Sequence, residues 1–129
     1  VRRVIIESPH AADTDEQLQL HAEYLRAAKE DCIAQGDSPY ASHGLLTDVL
    51  DDRDHAQRAT GIAAGLVWGE VADATVVYTD LGVTEGMQQG IDHATRHGRP
   101  IEYRQIGRGW SAPAAAYTDD KWALEADEP

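Results

Sequence analysis

The chain has 129 residues, 42% of them apolar and 26% charged, with 23 acids against 11 Lys and Arg and a formal net charge of −12. That is enough chain for one domain with a real core, and the composition is that of an ordinary globular protein. The acidic balance excludes generic binding to nucleic acid polymers and to anionic membrane surfaces, because no excess of cations exists to neutralise phosphate. One small anion is not excluded, since backbone N–H groups and a local Arg or His suffice to hold it. A single cysteine, Cys32, excludes an intramolecular disulfide framework, and no Cys/His spacing has the form of a zinc site. No leader pattern and no apolar run of bilayer length is read, so the expected setting is reduced and cytoplasmic, with neither metal nor cofactor.

The first strand is expected over residues 3–8 (RVIIES), where a continuous apolar run suits a central parallel strand, and Pro9 ends it. A loop through His10 leads to a helix start at Asp13 or Thr14. Asp13 with Glu16, or Thr14 with Gln17, has capping-box spacing. Leu18, His21/Ala22, Leu25, Ala28/Lys29 and Cys32 trace the expected inner face as far as about Ala34, and Gly36 closes the helix. A short second strand is expected over 38–42, followed by His43 and Gly44. An irregular stretch with the acids Asp48, Asp51, Asp52 and Asp54 leads into a second helix from about Arg53 to Ala72. In it Ala59, Ile62 and Leu66 keep helical spacing. Gly61, Gly65 and Gly69 recur every fourth residue there. Each costs about 1 kcal/mol against alanine in a helix, so the stripe implies close approach to another backbone, either the sheet or a second subunit.

Residues 74–98 form the densest unit: a β-branched and aromatic strand over 74–79, Asp80 where it stops, a turn through Gly82, and a helix. Thr84 is a candidate N-cap. Met87, Ile91 and Ala94 recur at helical spacing, and Gly98 with Pro100 stops the helix. Residues 100–105 give a fourth strand of edge character, with Ile101 and Tyr103 alternating against charges. The stretch 107–129 changes character, and Trp110 and Trp122 suggest that it docks on its own domain or on a neighbour. The order β-α-β-α-β-α-β implies an α/β fold: a small doubly wound parallel sheet of flavodoxin- or Rossmann-like type over 1–106, with an irregular C-terminal tail over 107–129. No GxGxxG follows the first strand and no Walker motif is present. In such sheets ligands bind beyond the carboxyl ends of the strands, near helix N-termini, which points to residues 80–86.

Three segments carry a likeness to a known family: IIESPH (5–10), WGEVADATVVYTD (68–80) and DLGVTEGMQQGIDHA (80–94). Together the layout over 3–105 resembles the nucleoside 2-deoxyribosyltransferase-like superfamily, including its small phage- and actinobacteria-encoded domains of unknown function. The resemblance implies a nucleoside or nucleotide ligand, cleavage or transfer of an N-glycosidic bond, and a homo-oligomer in which a neighbouring subunit completes the site. In that family the central helix opens Gly-x-x-x-Glu, and the Glu attacks the anomeric carbon. Here the slot in Gly86-Met87-Gln88-Gln89-Gly90 is Gly90, which has no nucleophile.

Two functions therefore stand side by side. In the first the chain is an N-glycosidase or deoxyribosyltransferase. Glu85 then serves as nucleophile or as stabiliser of an oxocarbenium-like transition state, and Asp80 orients the ribose or donates a proton. In the second it is a non-catalytic nucleotide sensor or sequestering protein, and beside both stands the plainer option of a structural or assembly protein that reuses the fold. Ser8, His10, His43, Gly82, Thr84 and Gly86 are the candidate ligand contacts. Each has a plainer reading too: Asp80 and Glu85 as helix-capping charges, Ser8 and His10 as a turn stopped by Pro9, His43 as a surface histidine. The acids from Asp48 to Asp54 read either as a cation site or as a solvated loop and helix cap; their spacing matches no calcium loop.

Overall fold

The computed structural model describes residues 1–41, 46, 48–51, 53–107 and 109–110. Its elements are β1 (Arg3–Glu7), α1 (Asp15–Ala34), β2 (Ser38–Tyr40), α2 (His55–Gly69), β3 (Ala74–Tyr78), α3 (Glu85–Arg96) and β4 (Ile101–Arg104). The four strands form one parallel sheet in the order β2-β1-β3-β4. The fold is the small α/β arrangement that the sequence implied. His43 and residues 111–129, Trp122 among them, lie outside the described residues.

The two central strands are apolar without alternation because both of their faces are covered. Val4, Ile6, Ala74, Val76 and Tyr78 face α1, where they pack with Tyr24, Ala28 and Cys32. Ile5 and Glu7 point to the opposite face, as successive strand residues must. That face carries α2, whose Gly69 lies against the Ile5 side chain, and α3, whose Met87 and Ile91 pack on Val77. Two glycines of the α2 stripe, Gly65 and Gly69, are thus turned to their own sheet, while Gly61 lies against Leu50. A Cβ at Gly69 would lie 3.0 Å from Ile5 Cδ1, and the Gly65 carbonyl accepts a hydrogen bond from Tyr40 Oη at 3.2 Å. Val67, Trp68 and Val71 at the end of that helix are exposed.

Several boundaries and one helix face differ from expectation. β1 ends at Glu7 rather than at residue 8, because Pro9 has no N–H to continue a ladder. β2 stops at Tyr40, and α2 spans His55–Gly69 with Asp54 as its N-cap, accepting from Ala56 N–H at 3.0 Å. The buried stripe of α1 is His21, Tyr24, Ala28 and Cys32, while Leu18 is exposed and Leu25 only half-buried. Tyr24 takes the inner position because its hydroxyl has a partner across the domain, described below. Thr14 caps α1 by accepting from Gln17 N–H at 3.1 Å, and the Gln17 side chain accepts from Asp13 N–H at 2.8 Å. Thr84 caps α3 by accepting from Met87 N–H at 3.2 Å. β4 is an edge strand, bonded only to β3, with Tyr103 exposed.

No helix among the described residues is long and apolar enough to cross a membrane.

Candidate functional site

The chain leaves β1 toward β2 on one side and returns through α2 to β3 on the other, so the loops after β1 and β3 part above the sheet. Such a reversal of strand order leaves a crevice at the carboxyl edge. The segments at that edge are residues 8–14 after β1, residues 79–84 after β3, and the N-terminal end of α3.

On the β3 side Asp80 is fully engaged. Its Oδ1 accepts from Tyr24 Oη at 2.7 Å and from Ile106 N–H at 2.8 Å, and its Oδ2 accepts from Gly107 N–H at 2.9 Å. The Asp80 N–H in turn donates to Tyr24 Oη at 2.8 Å. Burial works against the charged carboxylate, but the hydrogen bonds from Ile106, Tyr24 and Gly107 outweigh it and hold the carboxyl below its usual range. An ionised acceptor in that position has no proton to donate. Asp80 instead ties the segment after β4 to α1, and Trp110 lies edge-on to Tyr24 with ring centroids 5.0 Å apart. Asp80→Ala strands three donors, so we expect a stability loss of about 2–4 kcal/mol in urea denaturation. The same variant should expose the Trp110 ring, read as a red shift of its fluorescence in the folded protein.

Gly82 has φ +91°, a left-handed backbone in which a side chain is strained, and it turns the chain back toward α3. Glu85 is the first residue of α3 and is exposed, and Gly86 is half-buried one residue on. The structure therefore brings Asp80, Gly82, Thr84, Glu85 and Gly86 into one turn. Thr84 is buried, and its hydroxyl is taken by the helix cap.

On the β1 side Ser8 is 2% exposed, and its hydroxyl has no hydrogen-bond partner among the described residues. Buried hydroxyls are nearly always paired, so an orphan at the carboxyl end of a central strand marks a place where a ligand or water group belongs. His10 is half-buried, and its carbonyl oxygen lies 3.3 Å from His21 Nδ1.

One residue of this crevice was not anticipated. Glu7, the last residue of β1, is 6% exposed, and burial pushes its carboxyl up to about 8 although Arg99 pulls the other way. Among the described residues it makes neither an ion pair nor a hydrogen bond; Arg99 acts on it only through its field. The carboxyl group sits against Gly90 of α3. A Cβ built there would fall within 2.7 Å of the carboxyl carbon and both oxygens. A signal for it was present in the sequence: an acid closing the run Val4-Ile5-Ile6-Glu7 in a strand covered on both faces must be buried, and burial of a carboxyl is costly without a purpose. Arg99 was missed as well. Its guanidinium donates to Thr75 Oγ1 at 2.9 Å and to the Gly69 carbonyl at 3.1 Å, and lies 3.2 Å from His93 Nδ1.

The fold is similar to that of a 2-deoxyribosyltransferase from the psychrotolerant bacterium Bacillus psychrosaccharolyticus. The TM-score is 0.59 over 80% of this chain and 72% of that one, at 12% sequence identity. At that identity the likeness is one of architecture, a distant structural relationship. No curated protein matches the sequence. A family model does match over residues 2–104, which take in every element from β1 to β4 and both sides of the crevice. The chain belongs to that family, the domain of unknown function DUF7768.

Proposed function

We propose that the crevice between β1 and β3 takes a nucleoside or nucleotide and that the protein breaks or exchanges its N-glycosidic bond. The observation that carries this reading is the pair of adjacent groups at the end of β1, a buried acid without a hydrogen bond and a buried hydroxyl without a partner, at the strand-order reversal of the sheet. Such a place suits a polar ligand with one or two donors and acceptors. The resemblance in sequence layout and the deoxyribosyltransferase-like architecture support the ligand class by analogy.

In this reading Ser8 and the loop through His10 hold the sugar or a phosphate, and Gly82, Thr84 and Gly86 shape the opposite wall. Glu85, exposed at the start of α3, stabilises positive charge at the anomeric carbon. Assembly into a homo-oligomer belongs to the same proposal, as does a cytoplasmic setting. A single-chain mass in light scattering overturns the assembly.

The second reading, a binder without turnover, is favoured by Gly90, which leaves no acid at that position of α3.

The test is incubation with a panel of ribo- and deoxyribonucleosides, their monophosphates and NAD-type nucleotides. Free base is followed by chromatography, and the thermal shift is read on the same samples. We expect one class to raise the melting temperature by several degrees and to release base. A thermal shift without release favours the binder. Neither signal with any member overturns the ligand class.

A further inference from the structure

We propose that Glu7 is the proton donor of this site, a carboxylic acid supplied by the end of β1, seated in the recess left by Gly90, and acting on the base that departs. The inference rests on the reading of the crevice as a nucleoside or nucleotide site.

Four observations converge on it. Glu7 is buried at the carboxyl edge of a central strand, where ligands of such sheets bind. Its carboxyl group makes no hydrogen bond among the described residues, although Tyr40, Arg99 and His93 lie on the same side of the sheet and each is bonded elsewhere. On α3 its carboxyl group lies against a glycine, Gly90. Any side chain there would displace it, so Gly90 gives this acid its place as surely as it removes one from the helix. The neighbouring residue, Ser8, carries a buried hydroxyl that is also without a partner. A structural acid would be held by donors, as Asp80 is by three; Glu7 is held by none.

The groups that face it set its state. Arg99, from the turn between α3 and β4, favours the charged form, and Tyr40 of β2 gains nothing from a second negative charge. His93 of α3 lies against Arg99, and α2 presents the backbone of Gly65 and Gly69 to this layer. Burial dominates, and the acid keeps its proton up to about pH 8. A proton donor at neutral pH needs that property.

The step balances with water as the only co-reactant. The bond between the anomeric carbon and the base nitrogen breaks, and its electron pair leaves with the base. The Glu7 O–H proton passes to the base. A water oxygen bonds to the anomeric carbon, and the proton that water gives up returns to the Glu7 carboxylate. The products are free base and the free sugar or sugar phosphate.

The experiment compares wild-type protein, Glu7→Gln and Gly90→Ala on the nucleoside and nucleotide panel, reading base release and thermal shift. Glutamine keeps the shape and removes the transferable proton. We expect Glu7→Gln to keep the ligand-induced thermal shift and to lose about 100-fold or more in release, the usual reach of a general acid. Gly90→Ala, which leaves Glu7 in the chain but takes its seat, should lose release in the same way, and it decides the matter if Glu7→Gln fails to fold. Wild-type release should fall as the pH is taken above about 8. Release at the wild-type rate in either folded variant overturns the proposal. Wild-type protein that binds without releasing base overturns it too and leaves the ligand class in place; wild-type protein that does neither overturns both.

Discussion

Wild-type protein should lose stability as the pH rises from about 5 to 8, and Glu7→Gln should remove most of that loss. The folded protein holds a proton on Glu7 up to about pH 8, whereas the unfolded chain gives it up near the ordinary value of 4.5. Between these limits the native state binds one proton more than the unfolded state, so the free energy of unfolding falls with pH. The contribution is fully present below the unfolded value and is gone once the pH passes the folded one. The slope is on the order of 1.4 kcal/mol per pH unit. Summed over the interval it approaches about 3–5 kcal/mol, a large share of the stability of a domain this size. A neutral glutamine in the same space has no proton to lose, so the variant should match wild type near pH 5 and exceed it near pH 8. Urea denaturation of both proteins at pH 5, 6.5 and 8 measures this. The difference between the two curves cancels the histidines, which titrate in both. Parallel curves would mean that the carboxyl is hydrated and not held under α3.

The architecture followed from patterns that local physics enforces. An apolar run without alternation at 4–6 and 74–78 needs cover on both faces, and the helical spacings between the runs supply the cover. The caps at Thr14 and Thr84 were readable because a capping oxygen has only its own next turn to serve. The inner face of α1 was not, because Tyr24 turns inward for the sake of Asp80, 56 residues on, and no local periodicity records a partner that distant. The candidate site divides along the same line. The turn from Asp80 to Gly86 was legible because a turn between strand and helix is a local object. What Asp80 does was not found, since two of its donors come from Ile106 and Gly107, beyond the last strand. Gly90 read as the loss of an acid, because spacing alone compares one helix position with one expected residue. Its complement, Glu7, lies 83 positions earlier on another element, and only the packing of α3 on β1 shows that the two share a space.

Arg99→Met should cost about 2–4 kcal/mol and should also move the pH range of the remaining stability upward. α2 meets the sheet at Gly65 and Gly69, and hydrogen bonds to their carbonyls help hold it there. Tyr40 binds the Gly65 carbonyl, and Arg99 binds the Gly69 carbonyl while reaching Thr75 in β3. Methionine fills much of the space of the stem but leaves the Thr75 hydroxyl, in a residue with no exposure, and the Gly69 carbonyl without this donor, and buried polar groups deprived of partners account for the expected loss. The second effect is electrostatic. Arg99 is the cation whose field favours a charged Glu7, so its removal pushes the Glu7 carboxyl higher still. The native proton is then held further into alkali, and the interval over which stability declines widens at its upper end. Urea denaturation of Arg99→Met across pH 5 to 10 separates the two: a uniform offset reports the lost hydrogen bonds, and a steeper total decline reports Glu7. In the background of Glu7→Gln the offset should persist and the added decline should vanish. If Arg99→Met loses the same amount at every pH whether or not Glu7 is present, the field of Arg99 does not reach the acid, and hydrogen bonding alone explains why an arginine stands between α3 and β4.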